Sequence, residues 1–423
     1  MSGMLIIGAG LAGLTLAETL RAEGYEGSIT LIGNEAHAPY QRPPLSKGYL
    51  LGEIKEAQLM MRTPEMLAKK NIELKVPTGT QSAGADATAI DRAAKRVTLN
   101  DGSVLAYDGL ALCTGSRLRP LPLAGAEWRG MHGLRSLDDA KAIAAALETA
   151  QSVVIIGGGF IGLEVAAVAR KKGKQVTVLE AADRLMARVV PPLISQFYLD
   201  LHGSHGVEVV LGASVSELVS ELVSEPVSEL RGNGDRISAV RTKDGREFAA
   251  DRVLVGIGII PNVEIAQAAG LDVNGGIVVD ACGRTSDPAI VAAGDCTARR
   301  LEDGSWRRLE SVQNALEQGK SAATALLGRE RPFNAAPWFW SDQYDVKLQM
   351  VGLTAGFDQM VTRGDATSSK FSACYFKAGK LIAIDSLNQP GDHMTGRKLF
   401  DRGISPTPEQ AADTAFDLGS LLV

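Results

Sequence analysis

Residues 4–20 read MLIIGAGLAGLTLAETL, a short apolar run followed by Gly8, Gly10 and Gly13 at GxGxxG spacing and then by apolar residues at helical spacing. This order predicts a strand, a tight turn and a helix. The glycines bring backbone amides close to a pyrophosphate, whose charge is favoured at the helix N-terminus. The next predicted strand, SITLIGNE, ends at Glu35, 27 positions after Gly8, where a carboxylate can accept a hydrogen bond from a ribose hydroxyl.

The same series occurs again at residues 152–180, which read SVVIIGGGFIGLEVAAVARKKGKQVTVLE. It contains Gly157, Gly159 and Gly162, and its second strand ends at Glu180, 23 positions after Gly157. The alternative for each unit is a glycine-rich turn in an α/β sheet without a ligand. Two complete units favour two bound dinucleotides.

Further apolar strands end in glycine turns, which we expect to form the second walls of the two sites, since ligands sit at the carboxyl ends of strands in open α/β sheets. One ends at Thr114 and Gly115, another at Gly256 and Gly258, and a third at Gly294 and Asp295. Asp295 is predicted to accept from a sugar hydroxyl. Its alternative role is a helix N-cap.

The composition indicates a globular protein of two or three domains, with 423 residues and 45% hydrophobic residues. The net charge of −5 argues against a general nucleic-acid binder. Without a secretory signal or a run of about 18 apolar residues, the sequence predicts a cytoplasmic protein with no membrane span. Its scattered cysteines are predicted to be buried core residues, and His202 and His205 lack companions at metal-ligand spacing, so no metal is expected.

From about residue 333, the segments PWFWSDQYDVKLQMVG and SSKFSACYFKAGKLIAIDSLN indicate strands of a small separate domain. Trp338 and Trp340 stand together at its start, with core packing as the alternative role. Residues 215–230 read VSELVSELVSEPVSEL, with Pro226 interrupting any helix, and the flanks VVLGAS and RISAVRTKDG look like hairpin strands. A duplication that lengthens a surface loop is favoured over a partner-binding helix, and QSAGADA at 81–87 is a similar insertion.

These motifs, taken in chain order with APYQRPPLSK at 38–47, CTGSRLRP, GIGIIPN, AAGDC, RLESVQNA and WFWSDQY, resemble those of the FAD-dependent NADH:ferredoxin reductases. Those enzymes supply oxygenases with electrons through a [2Fe-2S] ferredoxin. The resemblance implies an α/β fold with two Rossmann-like dinucleotide-binding domains and a C-terminal α+β domain. It places the FAD domain at 1–114 and 251–332, the NAD domain at 115–250 and the C-terminal domain at 333–423.

The resemblance, together with the glycine turns, also implies the residues of the site. The predicted catalytic residues are Lys47, Glu164 and Trp340. The predicted cofactor-binding residues are Gly8, Gly10, Leu11, Ala12, Gly13, Glu35, Arg42, Pro43, Lys47, Ala87, Thr114, Gly115, Arg135, Gly157, Gly159, Phe160, Ile161, Gly162, Glu164, Glu180, Arg184, Gly256, Ile257, Gly258, Gly294, Asp295, Ser311, Val312 and Trp340.

The segment Pro43, Pro44, Leu45, Ser46 and Lys47 occupies the helix start where relatives such as glutathione reductase hold a CxxxxC disulfide. Without sulfur at this position, electrons are expected to leave the flavin directly. The family pattern suggests that Lys47 pairs with Glu164, the alternative being a solvated surface lysine. The helix beginning at Ser311 and Val312 is expected to aim its first amides at the pyrimidine edge of the flavin.

The implied cofactors are bound FAD and NADH as co-substrate, with NADH preferred because Glu180 repels a 2′-phosphate, although Arg184 nearby softens this preference. The implied partners are a [2Fe-2S] ferredoxin and indirectly an oxygenase, with no nucleic acid or membrane, and the chain is expected to be a monomer or weak dimer. Rubredoxin reductase, NADH diaphorase or oxidase, and a redox-sensing flavoprotein of the apoptosis-inducing-factor type remain alternatives.

Ferredoxin docking requires a local basic surface on this acidic chain. Two groups are candidates, namely Arg299, Arg300, Arg307 and Arg308, and Lys377, Lys380, Arg397, Lys398 and Arg402. The alternative is that these are solvated charges interleaved with the acids Glu302, Asp303 and Asp401.

Overall fold

The computed structural model describes residues 3–77, 86–221, 236–301 and 304–423. Its helices are α1 (Leu11–Ala22), α2 (Gly48–Leu51), α3 (Glu56–Leu59), α4 (Pro64–Ala68), α5 (Leu137–Thr149), α6 (Phe160–Lys171), α7 (Pro192–Ser204), α8 (Glu264–Ala268), α9 (Val312–Leu326), α10 (Pro390–Arg402) and α11 (Pro408–Ala412), with 3₁₀ turns at Pro43–Ser46 and Leu418–Leu422.

Its strands are β1 (Gly3–Ile7), β2 (Ile29–Ile32), β3 (Ile72–Lys75), β4 (Ala87–Asp91), β5 (Arg96–Leu99), β6 (Val104–Leu112), β7 (Ser116–Leu118), β8 (Met131–His132), β9 (Ser152–Ile156), β10 (Gln175–Leu179), β11 (Glu208–Val210), β12 (Val215–Glu221), β13 (Arg236–Thr242), β14 (Glu247–Ala249), β15 (Arg252–Val255), β16 (Ile259–Pro261), β17 (Ile277–Val279), β18 (Ile290–Ala292), β19 (Thr297–Arg300), β20 (Trp306–Arg307), β21 (Trp338–Gln343), β22 (Val346–Gly352), β23 (Gln359–Gly364), β24 (Phe371–Lys377) and β25 (Lys380–Leu387).

The chain forms two compact units. The first consists of residues up to Gln41, Glu56–Arg117 and Ile260–Phe339, and the second of Arg42–Lys55, Leu118–Ile259 and Trp340–Val423. The predicted domain boundaries stay a prediction. Residues 81–85, residues 222–230 with Pro226, and the acids Glu302 and Asp303 lie outside the described residues.

The first unit is built on a sheet in which β3, β2, β1 and β6 lie side by side in parallel, with β18 also parallel beside β6. The central strand β1 is buried along its whole length, as expected for a parallel strand covered on both faces. Helix α1 approaches α9 so closely that a Cβ added to Gly319 would lie 2.8 Å from the carbonyl oxygen of Ala12. Because β1, β6 and β18 are parallel, their carboxyl ends lie at the same edge of the sheet.

In the second unit, β11, β10, β9, β15 and β8 form another parallel sheet in that order. The carboxyl ends of β9, β10 and β15 lead into Gly157, Glu180 and Gly256. A separate antiparallel sheet has the order β12, β13, β14.

The predicted hairpin around the repeat is correct in its second strand and wrong in its first. Val215–Glu221, the beginning of the repeat, forms β12 and pairs with β13. The segment VVLGAS instead contributes to β11, which extends the parallel sheet beside β10. The cause is Leu218, which is buried with Ile237 and Val240, so the repeat itself supplies the apolar residue that the hairpin needs.

The C-terminal segment forms a sheet with the order β21, β22, β25, β24, β23, on which α10 and α11 pack. The strands predicted from the two C-terminal segments are confirmed, and β23 was not predicted. The predicted fold class, an α/β protein with two Rossmann-like units and a C-terminal α+β segment, is confirmed. Within the described ranges, no helix combines the length and apolar character that a membrane crossing requires.

Candidate functional site

The first glycine turn joins β1 to α1. Gly8 has a φ of +111°, and a Cβ added there would lie 2.0 Å from the carbonyl oxygen of Cys113. A Cβ on Gly13 would lie 2.0 Å from the carbonyl oxygen of Gly8, so only glycines allow this approach. Gly10 is the N-cap of α1 and provides no side-chain cap, and the space beside it is open. The turn therefore presents the first amides of the helix, those of Leu11 and Ala12, to an anion.

Glu35 lies beyond this turn. The strand β2 ends at Ile32 rather than at Glu35, so the carboxylate stands on the loop that follows. It accepts a hydrogen bond of 2.5 Å from the hydroxyl of the buried Tyr40. This bond fixes the carboxylate at the edge where the ribose of a dinucleotide is expected.

The Thr114–Gly115 turn is held by Asn262, the last residue of the GIGIIPN motif, whose role the sequence does not predict. Thr114 Oγ1 donates to the Asn262 carbonyl oxygen at 2.6 Å, and Asn262 Nδ2 donates to the Thr114 carbonyl oxygen at 2.9 Å. The Asn262 amide donates to the Gly115 carbonyl oxygen at 3.0 Å. Asn262 therefore holds the turn through both the hydroxyl and the carbonyl oxygen of Thr114.

Asp295 follows β18 and accepts from Ser116 Oγ at 3.2 Å. The chain continues into β19 at Thr297, and no helix begins at this point, so the alternative role as an N-cap is wrong. The preceding amide, that of Gly294, donates to Gln318 Oε1 on α9 at 2.8 Å. Gln318 thus ties the turn to the neighbouring helix.

Helix α9 begins at Val312, where the sequence places its start. Ser311 is the N-cap, and its Oγ accepts from the Asn314 amide at 3.1 Å. Asn314 Nδ2 donates to the Leu309 carbonyl oxygen at 2.9 Å, which fixes the entering chain. The amides of the first turn are directed out of the N-terminal end of the helix, the position at which they stabilise negative charge.

The second glycine turn, between β9 and α6, repeats the geometry of the first. Gly157 has a φ of +109°, and its added Cβ would lie 2.5 Å from the Gly256 carbonyl oxygen. A Cβ on Gly162 would lie 2.3 Å from the Gly157 carbonyl oxygen, and Gly159 is an N-cap without a side-chain cap. Beside Phe160, the side chain of Ile161 is 44% exposed in the first turn of α6, an apolar surface at the mouth of the turn. Ile257 and Gly258 follow Gly256 at the end of β15.

Glu180 fixes this second turn directly. Its Oε2 accepts from the Gly158 amide at 2.6 Å and its Oε1 from the Ala182 amide at 2.8 Å. Arg184 does not point its charge into the turn as a free cation, because its guanidinium donates to the Val190 and Ala187 carbonyl oxygens, each at 2.6 Å. That Arg184 softens the coenzyme preference stays a prediction.

The predicted ion pair between Lys47 and Glu164 is confirmed. Lys47 Nζ lies 2.8 Å from Glu164 Oε2, and the two side chains are 17% and 1% exposed, so Lys47 is not a solvated surface lysine. Ser46 Oγ donates to the same Oε2 at 2.5 Å, and Ser341 Oγ donates to Oε1 at 2.6 Å. Lys47 Nζ also donates to the Pro43 carbonyl oxygen at 3.2 Å. A buried carboxylate is thus matched by one cation and two hydroxyls.

The helix start predicted at Pro43 is broken. Pro43–Ser46 form a 3₁₀ turn, and Lys47 separates this turn from α2 with φ −130° and ψ −113°. The prolines occupy the first two positions of the turn, where an N–H would have no partner within the helix, and the break falls at Lys47 itself. The break directs Lys47 back towards Glu164.

The remaining predicted residues are spread over the two units. Arg42 Nη1 donates to the Arg135 carbonyl oxygen at 2.7 Å, so the structure brings these two together. Trp340 lies on β21, next to Ser341. Ala87 begins β4 and packs against the core cluster that contains Ile7 and Ile32, in the first unit. Their roles in binding a cofactor stay predictions.

The cysteines Cys113, Cys282, Cys296 and Cys374 are all buried and free, which confirms their predicted place in the core. Burial raises the pKa of the Cys374 thiol to about 12 and that of Cys113 well above its usual range. Among the described residues, no group of three or more His, Cys, Asp and Glu side chains could hold a metal ion.

Part of the first basic group is engaged locally. Arg299 donates to the Phe333 carbonyl oxygen at 2.6 Å and to Asn334 Oδ1 at 2.7 Å, and Arg308 pairs with Glu310. In the second group, Lys377, Lys380 and Lys398 are exposed, and Arg402 donates to the Leu422 carbonyl oxygen. The exposed lysines of the C-terminal segment are therefore better candidates for docking than Arg299 or Arg308.

Comparisons with known proteins agree with this geometry. A family model described as pyridine nucleotide-disulphide oxidoreductase matches residues 3–319, and one described as reductase C-terminal matches residues 338–422. Rhodocoxin reductase of Rhodococcus erythropolis is 44% identical over 98% of this chain and 93% of that protein. The solved ferredoxin reductase for the CYP199A2 system from Rhodopseudomonas palustris is also 44% identical, covers 100% of both chains and has a TM-score of 0.92. A chain of the covalent putidaredoxin reductase–putidaredoxin complex is 39% identical, with a TM-score of 0.92 and coverage of 100% and 98%. This chain therefore belongs to the pyridine nucleotide-disulphide oxidoreductase family.

Proposed function

We propose that this protein is an FAD-dependent NADH:ferredoxin reductase, which passes electrons from NADH through FAD to a [2Fe-2S] ferredoxin that serves an oxygenase. The relatives support the proposal, since they are reductases of rhodocoxin and putidaredoxin and of a ferredoxin in a CYP199A2 system. A cytoplasmic location, where NADH is available and cysteines remain reduced, is part of the proposal.

The observation that carries the proposal is the segment at residues 43–47, which has no cysteine and ends in Lys47, the partner of Glu164. In this segment a disulfide-type member of the family has two cysteines that take electrons as a pair, whereas residues 43–47 are Pro, Pro, Leu, Ser and Lys. The four cysteines of the chain are buried elsewhere, at 113, 282, 296 and 374. An external acceptor therefore replaces the internal disulfide.

The residues fit FAD in the first unit. A diphosphate finds hydrogen-bond donors in the uncapped first turn of α1, beside the open side of Gly10. A ribose finds an acceptor in the fixed carboxylate of Glu35. Gly294 and Asp295 stand at the end of the neighbouring strand β18. When bound, FAD accepts a hydride and releases single electrons, the conversion that links NADH to an iron–sulfur acceptor. The amides at the start of α9 would favour negative charge on the bound group.

The second unit supplies the nicotinamide coenzyme with an equivalent turn. Gly157, Gly159 and Gly162 admit the diphosphate, and Glu180, already held by two backbone amides, accepts from a ribose hydroxyl. Lys47 and Glu164 hold a positive and a negative charge next to each other in a site with little water. Their role is to orient the reacting groups and stabilise charge as it moves.

The test is NADH-dependent reduction of cytochrome c by the FAD-loaded protein with and without added carriers. The rate with each ferredoxin of a [2Fe-2S] panel should be compared with the rates with a rubredoxin and with a quinone. Strong dependence on at least one ferredoxin is expected. Fast quinone or oxygen reduction without any ferredoxin, or preference for the rubredoxin, would replace the proposal by one of the diaphorase or rubredoxin reductase alternatives. Slow flavin reduction with a long-lived NAD complex would indicate a redox-sensing protein.

A further inference from the structure

A line of buried polar side chains leads away from the Lys47–Glu164 pair. Ser341 Oγ donates to Glu164 Oε1 at 2.6 Å, and Gln343 Nε2 donates to Ser341 Oγ at 3.2 Å. Gln343 Oε1 lies 2.8 Å from His202 Nε2, and His202 Nδ1 lies 3.4 Å from the Tyr344 hydroxyl. Ser341, Gln343 and His202 are at most 1% exposed. Buried polar groups of this kind are costly unless they are fully paired, so their alignment needs a reason.

The line has a single direction. A carboxylate only accepts, so the Ser341 hydroxyl donates its proton to Glu164 and can only accept from the Gln343 amide group. Gln343 then presents its oxygen to His202, which requires the proton of the imidazole on Nε2 and leaves Nδ1 as an acceptor for Tyr344. Burial lowers the pKa of His202 to about 4, so the ring is neutral at pH 7 and this arrangement is kept. Every donor points towards Glu164.

Three elements of the second unit contribute to the line. Glu164 comes from α6, His202 from α7, and Ser341 and Gln343 from β21. The two β21 residues are two positions apart, so they share the buried face of the strand, whereas Trp340 faces the other side. The links from Glu164 to Ser341 and from Gln343 to His202 join residues far apart in the chain, and together the links connect α7 to the carboxylate next to Lys47.

We propose that Ser341, Gln343 and His202 are positioning residues that fix Glu164 so that its Oε2 faces Lys47. This inference rests on the proposed function, in which Lys47 and Glu164 act in electron transfer from NADH. With Oε1 held by Ser341, the carboxylate cannot turn, and Oε2 is left to Lys47 and Ser46. The other residues influence the reaction only through Glu164.

The experiment uses the full-length FAD-loaded protein and a double-mutant cycle of Gln343→Met with Lys47→Met. Flavin reduction by NADH is followed by stopped-flow absorbance, and the free energy of unfolding is measured in urea as a readout independent of turnover. Gln343→Met should slow reduction about tenfold, since it removes the donor that holds the Ser341 hydroxyl and so weakens the bond from Ser341 to the charged Glu164. In the Lys47→Met background, the same change should slow reduction less than about twofold, and the two substitutions should also be non-additive in unfolding free energy.

Two further pairs keep the test decisive. His202→Gln, which retains a donor, should reduce flavin within about twofold of the wild type, whereas His202→Leu should match Gln343→Met. Ser386→Ala is the matched control, because Ser386 is a fully buried serine of the same sheet that bonds Ser372 instead of Glu164. It should leave the reduction rate unchanged. If Gln343→Met prevents folding, Ser341→Ala replaces it in the cycle.

Two results would overturn the inference. One is a Gln343→Met variant that reduces flavin at the wild-type rate. The other is an equal slowing with and without Lys47, which would indicate a general packing role. If either result is found but NADH reduces the flavin of the wild-type protein rapidly, only this inference fails and the proposed function stands. A wild-type protein whose flavin NADH does not reduce would instead defeat the proposed function.

Discussion

Lys47→Met removes the cation from a buried pair and nearly preserves side-chain volume. At 2.8 Å, two unit charges interact by about 6 kcal/mol at an effective dielectric constant of about 20. Most of this is offset by the cost of removing both charges from water, and breaking one side of a buried pair typically costs 3–5 kcal/mol. The 17% exposure of Lys47 and the two serine donors on Glu164 place the expected loss at the lower end, about 3 kcal/mol of unfolding free energy.

The same substitution should slow flavin reduction by NADH by about 100-fold, as expected for loss of one preorganised charge in a largely buried site. Both effects are checked on one protein preparation, by urea unfolding and by stopped-flow absorbance of the flavin. Lys347→Met is the matched control, because Lys347 is 56% exposed and its Nζ lies 3.8 Å from Asp342 Oδ1. It should change stability by less than about 0.5 kcal/mol and leave the rate unchanged.

Adding Glu164→Gln to Lys47→Met removes the uncompensated charge, so it should restore part of the lost stability without restoring the rate. A Lys47→Met variant that is as stable as the Lys347→Met control, or whose flavin is reduced at the wild-type rate, would show that the cation has neither of these roles. Loss of FAD during purification would show that Lys47 acts in binding the cofactor rather than in catalysis.

Three further predictions concern other parts of the molecule. NADH should exceed NADPH in kcat/KM by about 100-fold, because Glu180 repels a 2′-phosphate and the Arg184 guanidinium is occupied by backbone carbonyls; steady-state kinetics giving equal values would contradict this. Ferredoxin reduction should slow as salt rises, because charge attraction is screened over about 8 Å at physiological ionic strength, while flavin reduction by NADH should barely change. Lys380→Glu and Lys398→Glu should slow ferredoxin reduction in the same way at low salt. A rate of ferredoxin reduction that responds neither to salt nor to these substitutions would place docking elsewhere. Burial raises the pKa of Asp385 to about 7 from an unfolded value near 3.8, so between about pH 4 and 7 the folded state binds more protons and stability should fall as pH rises. Asp385→Asn should flatten this dependence and raise the melting temperature at pH 8. An unchanged pH profile of stability would show that Asp385 does not titrate in this range.

The two glycine turns were predictable from sequence because their chemistry is local. A GxGxxG spacing after an apolar run requires no knowledge of distant residues, and the structure gives both turns nearly the same φ at Gly8 and Gly157, +111° and +109°. The close approach at each first glycine was not visible in the sequence. It depends on the carbonyls of Cys113 and Gly256, which arrive from strands far along the chain.

The repeat at 215–230 shows why a period can mislead. A spacing of four residues is close to the 3.6 residues of a helical turn and is also a multiple of the two-residue period of a strand. The same letters therefore fit an apolar helical stripe, and on a strand they place the valines on one face and the leucines on the other. Burial of Leu218 against Val240 selects the strand, and this choice depends on β13, which the repeat does not encode.

The positioning residues of Glu164 escaped sequence reasoning for a different physical reason. Glu164 lies 117 positions from Lys47 and 177 from Ser341, so no local period relates the three. In WFWSDQY, the two tryptophans favour burial of the face that they share with Asp342. They favour exposure of the face that Ser341 and Gln343 share with Phe339. The structure reverses this, with both polar residues buried and the tryptophans only partly so. A strand whose polar face turns inward has given up apolar burial, and such a reversal is expected where a buried charge has to be held in place. The sequence signal was thus present as an inverted alternation, and it acquires its meaning only once the carboxylate of Glu164 lies opposite.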